Sequence, residues 1–355
     1  MAANRREFEA DLEELARSAA MAHMVDDRTS LIQIRYWTGR MNYVLGRFDL
    51  GARHAEEALR TADALGAGDE ITAPPVNLLV RLHCLRGEPR EAIAQARRNV
   101  TQMQGLGNRL EEAAISGVLA FAYGMHGQFA EAFDAAEHGV ALAKRIDHLP
   151  TLAACLHFRG VVRGWYGDLD EAVPSFEEAI TIAETSGDVF RQYLAHGWRG
   201  EAYVHLGRPG PGEADLSRCL ALGHRIGTSF HRGAFGAFLA RIRLLEGKPE
   251  TALEIGERAL RVASETNQAW SRSIALRVHA EILLALGPER FGEAAEAVRQ
   301  AIEIQEQRSC RFDLAWSRLI EARVLDAAGD PDRAASASDE AQRLFSEMGL
   351  RHGPR

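Results

Sequence analysis

The stretch Gly160–Gly187, GVVRGWYGDLDEAVPSFEEAITIAETSG, contains the pattern on which the rest of the chain is built. A run with helical periodicity ends at Tyr166, the dipeptide Gly-Asp interrupts it, and a second helical run continues to Thr185. Two small residues, Gly160 and Ala172, stand where the two helices would have to touch. Because neither helix can bury its apolar side alone, the unit needs neighbours of the same kind.

Those neighbours are present, because the turn glycine recurs at intervals of 41, 40, 40, 40, 40, 40 and 42 residues. Seven residues before it stands Gly or Ala in seven of the eight copies, and a small residue also recurs five residues after it, where a larger one would overpack a helix contact. Two extra turn residues in the seventh copy make Ala294 the equivalent of Ala172. The pattern predicts a solenoid of helical hairpins with turns at Gly46, Gly87, Gly127, Gly167, Gly207, Gly247, Gly287 and Gly329.

Paired helices with small residues at two close contacts, and Gly-Asp or Gly-x-Pro at the turn, resemble the tetratricopeptide repeat (TPR). The resemblance covers about residues 30–350 and implies an all-α, right-handed α–α superhelix of about eight repeats. The period exceeds the usual length of about 34 residues, so each repeat has longer helices or a longer loop between repeats. The chain looks most similar to long-repeat sensor regions of bacterial signalling ATPases, of LuxR-type activators of the maltose-regulator kind, and of ATPase-linked cyclases.

The repeats divide the chain into a solenoid over residues 30–350, a preceding segment over 1–29 and a tail over 351–355. Within the first segment, residues 4–24 read as one helix without its partner, so the segment is either a capping helix or half-repeat, or the sign that a longer protein has been cut at a turn. We expect Pro74-Pro75 to delay the first helix of repeat two. We also expect a loose or displaced loop at Gly207–Gly212, where the turn of repeat five is rich in glycine and proline.

Composition restricts the possible partners and location. The net charge of −8 and pI near 5.9 disfavour direct binding to nucleic acid, which normally needs a basic surface. No apolar stretch approaches the length of a membrane span, and the first residues lack the apolar core of a signal peptide. Scattered cysteines without a close pair are typical of buried thiols in a reducing cytosol, so we expect a cytoplasmic protein.

Catalytic and metal-binding motifs are absent from the sequence. It contains no HExxH, CxxC, phosphate-loop or GxSxG pattern, and we therefore expect no enzyme activity, metal or cofactor. One catalytic alternative remains open: His157, Glu201 and His205 come from adjacent repeats and could converge as acid and base groups.

The resemblance implies that the first helix of each repeat lines a concave groove, with groove positions about ten, six and two residues before the turn glycine. Arginine and aromatic residues recur at or beside these positions, and this composition is typical of binding hot spots. The candidate groove residues are Tyr36, Arg40, Tyr43, Arg81, Phe121, Met125, His157, Trp165, Glu201, His205, Arg241 and Arg277. The alternative is a solvated wall in which arginines and glutamates of stacked repeats pair, as Arg241 could with Glu201 and Glu281.

These features favour a non-catalytic interaction or effector-sensing module in bacterial signalling or transcriptional regulation. A protein or peptide partner is expected in the groove, and a small-molecule effector is possible, because solenoids offer extended concave surfaces. The alternative is a structural scaffold or homo-oligomer built by end-to-end stacking of terminal repeats.

Overall fold

The structure is a computed structural model and describes residues 5–205 and 207–350. Within those ranges it is all-α, with 17 α-helices, one short 3-10 turn and no strand. The helices are α1 (Arg5–Met24), α2 (Arg28–Leu45), α3 (Phe48–Ala64), α4 (Asp69–Arg86), α5 (Pro89–Leu106), α6 (Arg109–His126), α7 (Phe129–Arg145), α8 (Leu149–Tyr166), α9 (Leu169–Thr185), α10 (Val189–His205), α11 (Pro209–Ile226), α12 (Arg232–Leu245), α13 (Pro249–Glu265), α14 (Ala269–Leu286), α15 (Phe291–Gln307), α16 (Arg311–Ala327) and α17 (Pro331–Glu347).

The helices from α2 onward pack as eight hairpins, and each hairpin turns at one of the eight glycines spaced along the sequence. At Gly167 the backbone has φ +93°, and the Asp168 amide donates to the Arg163 carbonyl at 2.9 Å. This is the usual way to end a helix with a left-handed residue, and glycine adopts that conformation without strain. At Gly287, φ is +112° and the 3-10 turn Pro288–Arg290 accommodates the two extra residues.

The long period is explained by long helices. Most helices of the hairpins contain 17 or 18 residues, and only short loops join them. The loops between repeats also contain a residue of positive φ at almost every period. The sequence left open whether helices or loops carry the extra length, and the structure assigns it to the helices.

Small residues lie at the helix contacts that the sequence predicts. A Cβ atom added at Gly160 would lie 2.8 Å from the Phe176 ring, and one at Gly200 would lie 2.7 Å from Leu216 Cγ. Ala172 and Ala294 are completely buried, in agreement with their predicted equivalence. The two helices of a hairpin can therefore approach only where their facing residues are small.

Two local predictions are wrong. Helix α4 begins at Asp69 and continues through Pro74-Pro75, with Ala73 and Pro75 buried, so packing outweighs the two lost backbone hydrogen bonds. Helix α11 begins in register at Pro209, so the turn of repeat five is not displaced, although Leu206 lies outside the described residues. Proline fits the first helical turn, where its missing N–H is not needed.

Successive turns of the superhelix touch one another. The contacts join α1 with α11, α4 with α14 and α6 with α16, so each pair is ten helices, or five repeats, apart. At one contact Thr228 Oγ1 donates to the Val44 carbonyl at 2.5 Å, and the Ser229 amide donates to the Leu45 carbonyl at 3.2 Å. The hairpin turn of repeat one is thereby bound to the loop between α11 and α12.

The hairpin turns of repeats two and three make similar contacts with the loop between α15 and α16. Arg308 Nη1 donates to the Arg86 carbonyl at 2.5 Å and lies 3.2 Å from Glu88 Oε1. His126 Nδ1 lies 3.1 Å from the Ser309 carbonyl oxygen. Three consecutive turns are therefore attached to later repeats, and the curved ribbon closes on itself.

Closure brings aromatic rings into the interior of the superhelix. Trp165 stacks on Phe312 with centroids 5.1 Å apart, and Trp198 stacks on Trp270 at 5.9 Å. Phe121 lies edge-on to Trp270 at 5.6 Å. Over these repeats the inner wall is filled by the chain's own side chains and is not an open groove.

No helix in the described ranges combines the length and apolarity needed to cross a membrane. The four cysteines are buried free thiols, and burial raises the pKa of each of them.

Candidate binding cavity

The inner wall is not filled everywhere, because a cavity of about 220 Å³ remains in the N-terminal half. Helices of repeats one, two, four and five surround it, and Phe8 of α1 lies at one side. Its polar lining residues are Arg40, Tyr43, Arg81, His157, Asp188 and Arg191, and its apolar lining includes Val44, Phe158, Phe190 and Leu194.

A second cavity of about 210 Å³ adjoins the first. The two share Arg40, Arg81, Ala154 and Arg191, so the three arginines stand between them. On the far side the lining includes Tyr36, Trp37, Leu110, Asn77 and Glu111. The Asn77 amide donates to Glu111, so that carboxylate already has a partner within the protein.

The three shared arginines have few negative partners. Arg191 Nε lies 2.8 Å from Asp188 Oδ2, in an ion pair without hydrogen-bond geometry. The Arg81 guanidinium lies over the Phe158 ring at 5.8 Å, and that of Arg40 lies over Trp37 at 5.9 Å. Among the residues that the structure describes, neither Arg40 nor Arg81 forms an ion pair with a carboxylate. The shared wall therefore has an excess of positive charge.

Ionisation of the neighbouring groups is consistent with this excess. Burial lowers the pKa of Arg191, Asp188 opposes that effect, and the nearby charges of Arg40 and Arg81 lower it further. Burial, then Arg191 and Arg81, lower the pKa of His157 to about 3, so its ring is neutral at pH 7. His157 is 7% exposed, and its Nδ1 has no hydrogen-bond partner within the protein.

Tyr43 and a narrow extension form the floor of the cavity. Burial raises the pKa of the Tyr43 phenol, against the opposing charges of Arg81 and Arg40. The extension, of about 30 Å³, continues inward to rings of the aromatic interior, among them Phe121, Trp198 and His231. The cavity thus has a charged wall and an aromatic base.

In the C-terminal half, inner-wall arginines pair with carboxylates of the same wall. Arg241 Nε lies 3.1 Å from Glu281 Oε2, and Arg277 Nη1 lies 4.0 Å from Glu281 Oε1. Trp270 Nε1 donates to Asp313 Oδ2 at 2.7 Å. Burial raises the pKa of Asp313 to about 6, although Arg277 and the Trp270 hydrogen bond oppose the shift. This network is the pairing that the sequence left open as the alternative to a groove.

The hypothesis of a catalytic group at His157, Glu201 and His205 gains no geometric support. His205 Nε2 lies 3.6 Å from Glu201 Oε1, and burial lowers its pKa in spite of that carboxylate. The charges that act on His205 are those of Glu201, Arg241 and Arg277, whereas those that act on His157 are those of Arg191 and Arg81. His157 therefore belongs to the N-terminal cavity and the other two residues belong to the C-terminal network.

The twelve candidate groove residues thus fall into four places. Arg40, Tyr43, Arg81 and His157 line the first cavity, and Tyr36 lines the second. Phe121, Met125 and Trp165 are buried in the interior, and the C-terminal network contains Glu201, His205, Arg241 and Arg277.

Sequence reasoning missed Phe8, Asp188, Phe190 and Arg191. Asp188, Phe190 and Arg191 lie at or before the start of α10, outside the three positions considered in each repeat. No local sequence signal marks them, because they reach the cavity only through the superhelical curvature. Phe8 follows from the repeat register, since it occupies the place in α1 that Phe48 has in α3.

Several solved structures have folds similar to that of this chain. A Rap protein complexed with competence and sporulation factor superposes with TM-score 0.70 and 13% identity, over 96% of this chain and 100% of that one. This chain is a TPR-like helical solenoid. The Rap conjugation gene regulator of plasmid pLS20, in complex with the Phr* peptide, gives TM-score 0.61 and 14% identity, over 96% and 99% of the two chains. At these identities the likeness shows the fold alone.

Signalling proteins with similar repeats also appear among the matches. A signal transduction ATPase with a tetratricopeptide repeat sensor, from Pyrococcus horikoshii, gives TM-score 0.56 and 14% identity, over 98% of this chain and 54% of that one. The HTH-type transcriptional regulator MalT of Vibrio cholerae is 28% identical over 123 residues, which are 35% of this chain and 13% of that regulator. The chain thus matches only a small part of that relative's length. No protein-family model matches the sequence.

Proposed function

We propose that this chain is a non-catalytic regulatory module of bacterial signalling or transcription that binds an effector in the N-terminal cavity. The effector is a peptide or a small molecule, and its binding is communicated to a protein partner. The observation that carries the proposal is the contrast along the inner wall. Most of that wall is filled by the chain's own rings and ion pairs, whereas the cavity beside Arg40, Arg81 and Arg191 is empty of them.

The composition of the cavity supports the proposal. Concave sites for organic ligands are mostly apolar with a few convergent polar groups. Here Phe158, Phe190 and Leu194 provide apolar surface, and His157 Nδ1 and Arg191 Nε are buried polar atoms without a hydrogen-bond partner in the protein. Such unsatisfied groups are unfavourable in an empty protein and become favourable when a ligand supplies the missing partner.

The names of similar proteins are consistent with regulation. One similar structure contains a peptide, another belongs to an ATPase with a repeat sensor, and the curated relative is a transcriptional regulator. These names describe those proteins, and their transfer to this chain is part of the proposal.

Blocking the cavity tests the proposal. Ala154 lines both cavities, so Ala154→Trp would fill the space between them. We would screen short peptides and metabolites by thermal shift against the wild type, Ala154→Trp and the control Ala335→Trp, whose site is exposed on α17. A ligand that binds only the native state stabilises that state. We therefore expect some ligands to raise the Tm of the wild type and of the control, and not to raise the Tm of Ala154→Trp, whose cavity is blocked. Equal shifts in all three proteins, with helicity preserved, would place binding elsewhere.

A further inference from the structure

The charge of the cavity wall is unusual for this chain. The whole protein has a net charge of −8, yet three arginines face one carboxylate in the first cavity. His157 does not add to this balance, because its ring is neutral. A cavity of local positive charge in an acidic protein attracts anions and repels the cations that most of the surface would favour.

Several inner-helix arginines of the later repeats have carboxylate partners. Arg163 Nη1 lies 2.9 Å from Asp168, Arg199 Nε lies 2.6 Å from Asp215, and Arg241 Nε lies 3.1 Å from Glu281. Arg40 and Arg81 contact aromatic faces instead. Partial burial of guanidinium groups without counter-ions is unfavourable, so the arrangement is stabilised when an anion enters from outside.

This inference deepens the proposed function and rests on it. We propose that the effector is an organic anion, with one carboxylate or phosphate group held between Arg40, Arg81 and Arg191 and an apolar body against the aromatic lining. The planar fork of an arginine matches the oxygen geometry of either group. The position of the arginines between the two cavities leaves room for ligand on both sides of the anionic group.

The remaining lining residues of the two cavities indicate that the ligand has an apolar part. Val44, Phe158, Phe190 and Leu194 provide surface on one side, and Trp37 and Leu110 provide it on the other. Trp37 and Leu110 are 46% and 39% exposed, which is high for such large apolar side chains. An inorganic anion would neutralise the arginines but leave this apolar surface exposed to water. An amphipathic anion therefore fits the two cavities better.

The experiment uses 8-anilinonaphthalene-1-sulfonate, a fluorescent aromatic anion, as the reporter on the folded chain. Competitors are matched pairs that differ in charge: 3-phenylpropionate against 3-phenylpropanamide, and an apolar pentapeptide with a free C-terminal carboxylate against its C-terminal amide. Phenyl phosphate and inorganic phosphate complete the set. The variants are Arg81→Met, the blocked Ala154→Trp, and the control Arg323→Met, which removes an exposed arginine from the same place in repeat eight.

We expect the reporter to bind the wild type and Arg323→Met, and the anionic member of each pair to displace it at least tenfold better than the neutral member. Arg81→Met should lose about tenfold in affinity for the anions, the loss expected for one charge-assisted hydrogen bond. Added salt should weaken the anions more than the amides. The peptide and phosphate arms show which source supplies the anion.

The outcomes separate the two proposals. If acids and amides displace the reporter equally and Ala154→Trp abolishes both, the cavity is a ligand site and the anionic assignment is wrong. If inorganic phosphate competes as well as phenyl phosphate, the apolar part of the assignment is wrong. If the reporter does not bind the wild type, or binds Ala154→Trp equally well, both proposals fail. Circular dichroism and a cooperative unfolding transition confirm that each variant is folded.

Discussion

Repeat two and repeat six have the same residue in the same place and use it differently. Arg81 and Arg241 both stand six residues before the turn glycine. In repeat seven the next residue of this register is Glu281, which pairs with Arg241 at 3.1 Å. In repeat three it is Phe121, which offers Arg81 no charge. The residue contributed by the following repeat therefore decides whether an inner-wall arginine stabilises the solenoid or is available to a ligand.

The two halves also differ in how they are closed. In the C-terminal half, rings from several repeats meet, as Trp198 does with Trp270. At the N-terminal end the closing element is the single helix α1, whose Phe8 lines the cavity and whose Glu9 pairs with Arg47 at 2.6 Å.

The largest effect should come from breaking the ion network of the filled half. Arg277 is 3% exposed; Arg277→Ala would leave Asp313 buried without this nearby positive charge, whereas Glu281 would keep Arg241. We expect the free energy of unfolding to fall by about 3–5 kcal/mol, the usual effect of removing one partner of a buried pair. Urea unfolding at pH 8 measures it, with exposed Arg323→Ala as the control, expected within about 0.5 kcal/mol. A loss no larger than that of the control would show that the network is not needed for stability.

A smaller, pH-dependent effect should come from Asp313. Its folded-state pKa of about 6 lies above its ordinary value of 3.8, so the folded state holds this proton more tightly than the unfolded state. Its contribution to stability is therefore present at low pH and is lost as pH rises from about 4 to about 6. Asp313→Asn can still accept the Trp270 hydrogen bond and lacks this loss.

The free energy of unfolding of Asp313→Asn, relative to wild type, should therefore increase through that window by up to about 3 kcal/mol. Chemical denaturation at several pH values measures the difference. Burial lowers the pKa values of His157 and His231 to about 3, but both histidines are present in both proteins and cancel. A difference that is constant with pH would contradict the raised pKa.

The next prediction concerns the close contact between the two helices of a hairpin, which occurs in both halves of the solenoid. Gly160→Leu should destabilise by about 1–3 kcal/mol, because even a Cβ there would lie 2.8 Å from Phe176. The matched control is Gly164→Ala in the same helix, where a Cβ would lie 3.8 Å from Ala172. That change should be neutral or slightly stabilising, since alanine favours a helix over glycine. Thermal unfolding compares the two, and a neutral Gly160→Leu would mean that the helix contact is assigned incorrectly.

The fold could be predicted from the sequence because its causes are local and repeated. A hairpin needs a left-handed residue at the turn and small residues at the contacts, and Gly167, Gly160 and Ala172 show this within one repeat. The predicted delay of the helix at Pro74-Pro75 is wrong for the opposite reason. Pro74-Pro75 has an unfavourable local preference, and only the burial of Ala73 and Pro75 against neighbouring helices overrides it.

The site was only partly predictable, because it depends on contacts between residues far apart in the chain. The repeat register placed Arg40 and Arg81 on the inner wall, and both line the cavity. It placed Trp165 there by the same rule, yet contact with Phe312 of the last repeat buries that ring. Nothing within a 40-residue period encodes the superhelical pitch that brings repeats five apart together, so filled and empty parts of the wall look alike in sequence.

The smallest expected change in stability comes from replacing Arg40, and it gives the clearest contrast with the replacement of Arg277. Arg40→Met retains much of the side chain's apolar length and removes one of three neighbouring positive charges that have few negative partners. We expect the free energy of unfolding to stay within about 0.5 kcal/mol of wild type, with any change a gain that grows at low salt, where repulsion is least screened. Urea unfolding at low and high salt measures it. Binding residues often lower stability in this way, because the empty site retains charges that only the ligand satisfies. A loss of more than about 1 kcal/mol would instead make Arg40 a structural residue like Arg241, and the distinction between the two halves would disappear.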